Sequence, residues 1–281
     1  MAIDDLARAS DDLERIEVQV MLEAIYQHYG FDFRGYAVGS LRRRLWRSAA
    51  EEGVQSISGL QEKVLHDPQA MERLLSGLSV NVTTMFRDPT FYVAFRECVV
   101  PLLRTYPFIR VWNAGCSTGE ETYSLAILLE EEGLYNRARI YATDFNSDVL
   151  ARARAGELPL DRMQEYTQNY QRAGGTGDFS SYYSVDGTMA RLHDRLSEHV
   201  VFAQHNLASD RSFNEFNVVL CRNVLIYFGR DLQQRVHRLF YDSLARFGVL
   251  GLGQKETLRF TDLEDCYEEL DAREKLYRRI A

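Results

Sequence analysis

The chain has 281 residues, 46% of them hydrophobic, and a formal net charge of −8. This length suffices for one large α/β domain together with a smaller one. The acidic balance argues against nucleic-acid binding, because neutralising phosphates requires a surplus of Lys and Arg.

No apolar run reaches the length of a transmembrane helix, and the N-terminus has no apolar signal core, so we expect no membrane insertion. The four cysteines are far apart and form no CxxC pair, and the six histidines are scattered. We therefore predict reduced thiols, a cytoplasmic location and no metal site.

Residues 11–78 are predicted to form a helical N-terminal domain. The stretch "DLERIEVQVMLEAIYQHYG" has apolar residues at helical spacing and ends at Gly30, a typical helix stop. Three further helical segments follow, "LRRRLWRSAAEEG", one through "LQEKVLHDP" and "DPQAMERLLSGLS", and no strand pattern interrupts them.

Residues 79–281 show a different pattern, in which short apolar segments predicted as strands alternate with predicted helices. This order predicts a mostly parallel sheet with helices on both faces. The predicted strands are 108–114, 139–145, 199–207, 216–223, 248–253 and the terminal "KLYRRI".

The interval 157–198 breaks this alternation and predicts a small inserted β-subdomain. It contains the Gly-, Ser- and Tyr-rich stretch "QRAGGTGDFSSYYSVDG". Asp186 and Gly187 form a turn signal, so "SSYYSV" and "TMARLH" are expected to pair as a hairpin beside one helix.

The first strand leads into a small-residue loop, "NAGCSTGEE", that looks like a phosphate-binding loop but lacks its chemistry. A P-loop would place Lys after the second glycine, where Glu120 stands, and the GxGxxG fingerprint also fails. Glu120 and Glu121 lie in the first helical turn, where they would repel a pyrophosphate.

A cationic ligand fits this loop better. S-adenosylmethionine (SAM) carries a sulfonium and an ammonium group, Gly115 permits close approach, and a first-turn carboxylate can accept from the ammonium. The second strand ends in Asp144, where an acid can receive ribose hydroxyls. The alternative for these two features is an ordinary tight turn with two capping acids.

Five motifs in order resemble the CheR family of chemoreceptor glutamate O-methyltransferases. They are "NVTTMFR" from Asn81, "AGCSTGEETYS" from Ala114, "ATD" ending at Asp144, the Asn206-Leu207 pair, and "CRNVLIYF" from Cys221. The resemblance covers about residues 15–280. It implies a Rossmann-like SAM-dependent methyltransferase sheet with an all-helical N-terminal domain and a small inserted β-subdomain.

The resemblance also implies the site residues. The cofactor, SAM with S-adenosylhomocysteine (SAH) as product, would be held by Asn81, Thr83, Arg87, Gly115, Glu120 or its neighbour Glu121, Asp144, Asn206, Leu207, Arg222 and Asn223. Arg87 and Arg222 would orient the substrate carboxylate, and Tyr227 would shape the methyl pocket. Residue spacing leaves open which of the two glutamates meets the cofactor.

An arginine-rich helix in this acidic chain indicates a docking surface, with an ordinary solvated face as the alternative. Arg42, Arg43, Arg44 and Arg47 lie in a stretch without acids. By the resemblance, the partner would be the acidic coiled-coil helices of methyl-accepting chemoreceptors. In some family members the β-subdomain binds a receptor C-terminal peptide, and we expect a monomer.

One stretch departs from the family pattern. The family often has G-H-x-E after the fifth strand, whereas this chain reads "GLGQKETL", with Gln254 and Lys255. A subfamily serving another receptor or pathway is one explanation. A methyltransferase of a different substrate and a non-catalytic SAM- or SAH-sensing module are the competing functions.

Overall fold

The computed structural model describes the backbone of residues 3–78 and 83–281, and the side chains of residues 11–78 and 83–281. The chain divides into two compact units. One comprises residues 1–80 and 227–233, and the other comprises residues 81–226 and 234–281. Within the described residues, no helix combines the length and the apolar character needed to cross a membrane.

The first unit is built from four helices. They are α1 (Ile3–Tyr29), α2 (Val38–Glu51), α3 (Ile57–His66) and α4 (Pro68–Leu78). Gly30 follows α1 with a φ of +78°, a conformation that favours glycine. The Ser56 side chain accepts from Gly59 N and so caps α3. In the described part of this unit, the only β-type pairing is a single bridge between Tyr36 and Phe228.

The second unit contains a seven-stranded sheet. Its strands are β1 (Ile109–Ala114), β2 (Ala138–Asp144), β6 (Val200–Gln204), β7 (Phe216–Cys221), β8 (Leu244–Leu252), β9 (Tyr267–Asp271) and β10 (Leu276–Arg279). Their spatial order is β6-β2-β1-β7-β8-β10-β9. The first five are mutually parallel, and β10 runs antiparallel to both of its neighbours.

The central strands are largely apolar because most of their side chains are buried on one or other face of the sheet. In β7, for example, Val218, Val219 and Leu220 are all fully buried. Parallel neighbours need crossover connections, which here include α7 (Glu120–Glu131), α8 (Ser147–Ala155) and α10 (Arg230–Ser243). The carboxyl ends of β1, β2 and β7 therefore meet at one edge, where ligands of such sheets bind.

Two further pieces complete this unit. A helical segment precedes β1 and consists of α5 (Pro89–Ala94), a π-helix (Phe95–Val99) and α6 (Val100–Leu103). A separate antiparallel sheet has the order β3-β5-β4, built from β3 (Glu157–Pro159), β4 (Tyr183–Asp186) and β5 (Met189–Leu192), with α9 (Met163–Arg172) between β3 and β4.

The predicted α/β class, with a mostly parallel sheet and an all-helical N-terminal region, is confirmed. The observed limits of some strands differ from the predicted ones. The predicted strand 248–253 begins four residues earlier, at Leu244, and β9 was not predicted. β9 reads "YEELD", and only its first residue is buried, so an edge strand with this composition gives no apolar alternation.

Candidate functional site

The glycine loop between β1 and α7 is held against the end of β2. Gly115 N and Cys116 N both donate to Thr143 O, at 2.8 and 2.9 Å. Gly115 has a φ of +78°, and a Cβ there would lie 2.5 Å from Val224 Cγ2. Only glycine fits this position, since both the backbone conformation and the neighbouring valine exclude a side chain.

Asp144, the last residue of β2, lies directly beside this loop. Its Oδ2 accepts from Ser117 N at 3.0 Å, and its Oδ1 accepts from Asn146 N at 3.0 Å. Burial raises the pKa of this carboxyl group. A carboxylate can accept about four hydrogen bonds, so Asp144 retains acceptor capacity for a ligand hydroxyl.

The two glutamates that begin α7 have different surroundings. Glu121 accepts from Arg222 Nη1 and Asn113 Nδ2, each at 2.7 Å, so both of its oxygens are engaged. Glu120 is buried and accepts from Thr118 Oγ1 at 2.6 Å. It forms no ion pair with any side chain that the structure describes, and burial raises its pKa.

Arg222 joins the loop to the segment that precedes α5. Its guanidinium donates to Glu121 at 2.7 Å and to Asp88 at 3.0 Å, and its Nη2 lies 3.3 Å from Arg87 O. The same group stacks on the Phe91 ring, 3.9 Å from its centroid. With its side chain 1% exposed, Arg222 is committed to partners within the protein.

Hydrogen bonds to backbone atoms of residues 83–88 fix this segment in place. Thr83 O accepts from Arg162 Nη1 at 2.9 Å, and Phe86 N donates to Ser124 Oγ at 2.8 Å. Phe86 and Asp88 both have positive φ, at 51° and 54°. Arg87 is half-buried in this segment, and Asn81 lies outside the described residues.

The turn after β6 extends the same edge of the sheet. His205 N donates to Asp144 O at 3.1 Å, which brings the ends of β6 and β2 together. Asn206 Oδ1 accepts from Ala208 N at 2.9 Å, and Leu207 is buried. The side chain of Asn206 therefore shapes its own turn.

A glutamate that the sequence reasoning missed fixes the turn after β7. Glu256 is buried and accepts from the backbone N–H groups of four residues: Asn223, Val224, Leu225 and Gly253. Burial raises its pKa, and the four donors oppose that shift. The sequence carries a signal for this residue, since "GQKE" keeps the Gly-x-x-Glu spacing of the family pattern G-H-x-E.

The remaining predicted residues belong to the first unit. Tyr227 lies in that unit, where its carbonyl accepts from Ala37 N at 2.9 Å and the Arg44 guanidinium stacks on its ring at 4.5 Å. Arg44 is buried and donates to Leu78 O, so the predicted surface-docking role of Arg44 is wrong. Its position on α2 turns it inward with Leu41 and Leu45.

The other three arginines of α2 are exposed. Arg42 pairs with Glu14 at 2.5 Å and with Asp11 at 3.3 Å. Arg43 and Arg47 form no ion pair with the side chains described for residues 11–78 and 83–281. These two exposed arginines lie four residues apart on one helix face.

The residues around the loop suit SAM. Buried polar atoms without a partner in the described chain point to a ligand: Ser117 Oγ and Asn223 Oδ1. The carboxylates of Glu120 and Asp144 match an ammonium group and ribose hydroxyls, whereas two first-turn acids disfavour a phosphate.

Similarity to known proteins covers almost the whole chain. The family model described as "CheR methyltransferase, SAM binding domain" matches residues 81–275, and "CheR methyltransferase, all-alpha domain" matches residues 16–79. Since the first of these models is a SAM-binding domain, SAM is the cofactor of this chain.

Similar curated proteins come from several bacteria. A protein of Pseudomonas putida, "Putative methyltransferase Cher3", is 47% identical over 94% of this chain and 97% of its own length. A "Chemotaxis protein methyltransferase" of Listeria innocua is 28% identical over 88% of this chain and 92% of its own. One of Salmonella typhimurium is 28% identical over 83% and 81%.

Replacing Arg222 with Met should lower the free energy of unfolding by about 3–5 kcal/mol, because Glu121 and Asp88 would lose a buried cation. Urea unfolding followed by circular dichroism measures this. The control is Arg15→Met, which removes a pair whose side chains are 63% and 71% exposed and should cost under about 1 kcal/mol. Equal losses in the two variants would contradict a structural role for Arg222.

Proposed function

We propose that this chain, which belongs to the CheR methyltransferase family, transfers the methyl group of SAM to glutamate side-chain carboxylates of chemoreceptors. The products would be glutamate methyl esters and SAH. The observation that carries the proposal is the glycine loop lined by Glu120 and Asp144 within a chain whose residues 16–79 and 81–275 match the two models of the family. The activity would serve sensory adaptation in the cytoplasm.

The surroundings of the site residues suggest which part of SAM each of them would bind. We assign the ammonium group to Glu120, because this buried carboxylate has no cation among its described partners, whereas Glu121 is already neutralised by Arg222. Asp144 would receive the ribose hydroxyls, and Asn206 and Leu207 would flank the adenine. Asn81, Thr83, Arg87, Gly115 and Asn223 would complete the binding site.

The chemistry requires positioning and no proton transfer. When bound, SAM supplies an electrophilic methyl group. A solvent-accessible glutamate has a pKa near 4.3, so the attacking carboxylate is ionised at pH 7 without a general base. Holding that carboxylate in line can contribute up to roughly 7–11 kcal/mol, so the task of the chain is to orient it and exclude water.

Two arginines were predicted to orient the substrate carboxylate, and their surroundings favour different roles. Arg222 is enclosed by Glu121, Asp88 and the Phe91 ring, so we propose that it positions the loop and does not touch substrate. Arg87 remains the proposed carboxylate-orienting residue, and Tyr227 the residue that shapes the methyl pocket.

The helical N-terminal domain, residues 11–78, is the proposed receptor-docking part, and residues 79–281 form the methyltransferase domain. Arg43 and Arg47 are exposed and suit the acidic coiled-coil helices of a receptor. The inserted β-subdomain, at about 157–198, would bind a receptor C-terminal peptide in those systems that have one. We propose that the enzyme acts as a monomer.

Methyl transfer is tested directly with tritiated SAM and receptor-containing membranes. The expected product is protein-bound label that is released as volatile methanol by mild base, because carboxyl methyl esters are base-labile. A heat-denatured enzyme sample is the control. Label that survives base would identify a different acceptor, and absence of label would favour a SAM-sensing module.

Matched substitutions distinguish the contributions of the two α7 glutamates, Glu120 and Glu121, to cofactor binding. Glu120→Gln should weaken SAH binding by about 10- to 100-fold, the effect of losing a charged hydrogen bond, whereas Glu121→Gln should change it less. Titration calorimetry measures both. Because burial raises the pKa of Glu120, wild-type affinity should fall as pH drops towards that pKa, and this dependence should shrink in Glu120→Gln. A larger loss in Glu121→Gln would reverse the assignment.

Receptor docking is tested by reversing two charges on α2. Arg43→Glu combined with Arg47→Glu should raise KM for receptor roughly tenfold at low salt and leave SAH affinity unchanged. The matched control reverses two exposed arginines of α10, Arg235 and Arg238, and gives the same change in net charge. An equal rise in KM in both double variants would show a nonspecific charge effect.

A further inference from the structure

The Glu256 carboxylate is enclosed by backbone donors. Oε1 accepts from Val224 N at 2.8 Å and Leu225 N at 2.7 Å, and Oε2 accepts from Asn223 N at 3.0 Å and Gly253 N at 2.6 Å. The residue is 5% exposed and has no ion-pair partner in the described part of the chain. Convergent N–H groups of this kind form an anion-binding nest, and here the anion is part of the protein.

The four donors come from the ends of two neighbouring strands. Asn223, Val224 and Leu225 follow β7, and Gly253 follows β8, where Cys221 pairs with Leu252. Gly253 leaves no room for a side chain, since a Cβ there would lie 2.8 Å from both Asn223 N and Glu256 Oε2. The carboxylate thus closes the gap between two strand ends and fixes the backbone of the turn between them.

The turn that Glu256 holds carries two groups that face the glycine loop or a ligand. Asn223 adopts a φ of +63°, and its Oδ1 is buried without a partner in the described residues. Val224 fills the space beside Gly115, where a Cβ would meet its Cγ2 at 2.5 Å. The conformation of the turn therefore determines where the Asn223 side chain points and how Val224 packs against Gly115 of the glycine loop.

We propose that Glu256 is a positioning residue for cofactor binding: an internal anion that holds the turn 223–225 in the shape that the SAM site requires. The inference rests on the cofactor assignment and not on the identity of the methyl acceptor. A carboxylate is required because all four groups around it are donors. An amide would present its own N–H to two of them.

The test measures SAH binding by titration calorimetry, well below the melting temperature of each variant. Glu256→Gln should raise the Kd for SAH by about 10- to 100-fold, as is typical when a supporting partner of a site is lost. Glu256→Asp keeps the charge but withdraws it by one methylene, and we expect an increase of about threefold to tenfold. In steady state, KM for SAM should rise with Kd, while KM for receptor stays unchanged.

The matched control is Glu274→Gln. Glu274 is also a buried glutamate of the second unit, and it accepts from Gln254 Nε2 at 3.3 Å, next to the same loop but away from the turn. This variant should lower the melting temperature and leave the Kd unchanged. A wild-type Kd in Glu256→Asp, or in folded Glu256→Gln, would overturn the proposal, as would an equal rise in Glu274→Gln. Because binding is measured without methyl transfer, failure of the proposed glutamate methylation would leave this result readable.

Discussion

The site depends most on the ion pairs that the buried guanidinium of Arg222 forms with Glu121 and Asp88. This guanidinium connects a residue after β7 with Glu121 at the start of α7 and Asp88 before α5, three segments separated by more than 30 residues in the chain. A guanidinium enclosed in this way is retained only when its donors are matched by acceptors. Two carboxylates and the Arg87 carbonyl accept from its Nη1 and Nη2 groups, and the Phe91 ring stacks on its face, whereas its buried Nε has no partner among the described residues. The family motifs at these positions thus form one electrostatic unit.

The site as a whole is rich in acids that are not fully neutralised by the protein. Glu121 is paired, Glu256 is surrounded by backbone donors, and Glu120 and Asp144 retain acceptor capacity. This distribution suits a cationic cofactor better than a phosphate, although the loop has the glycines of a phosphate-binding loop. Asp144 and Glu256 also accept from backbone N–H groups, so these carboxylates fix the shape of the loop and of the turn after β7.

The sequence predicted the fold class, the loop and most of the sheet because each has a local signature. The strands β1, β2 and β7 are short and largely apolar, and the glycine loop is marked by its own residues. The edge strand β9 has no such signature, because an exposed, acidic strand is defined by its pairing with β10. For Glu256 the Gly-x-x-Glu spacing is a local signal, but its role depends on distant partners, because three of its four N–H donors lie 31 to 33 residues away in the chain.

The sequence by itself determined that this chain is a CheR-type, SAM-dependent protein with a helical N-terminal region and an acid-lined glycine loop. The residue types in a motif and the spacing of apolar residues are local properties of the chain, so they can be recognised from the sequence alone. Only the tertiary structure decided how similar residues differ. Arg44 is buried while Arg43 is exposed, and Glu121 pairs with Arg222 while Glu120 has no ion-pair partner among the described residues. These differences follow from burial and from partners distant in the chain, which residue type and spacing do not encode.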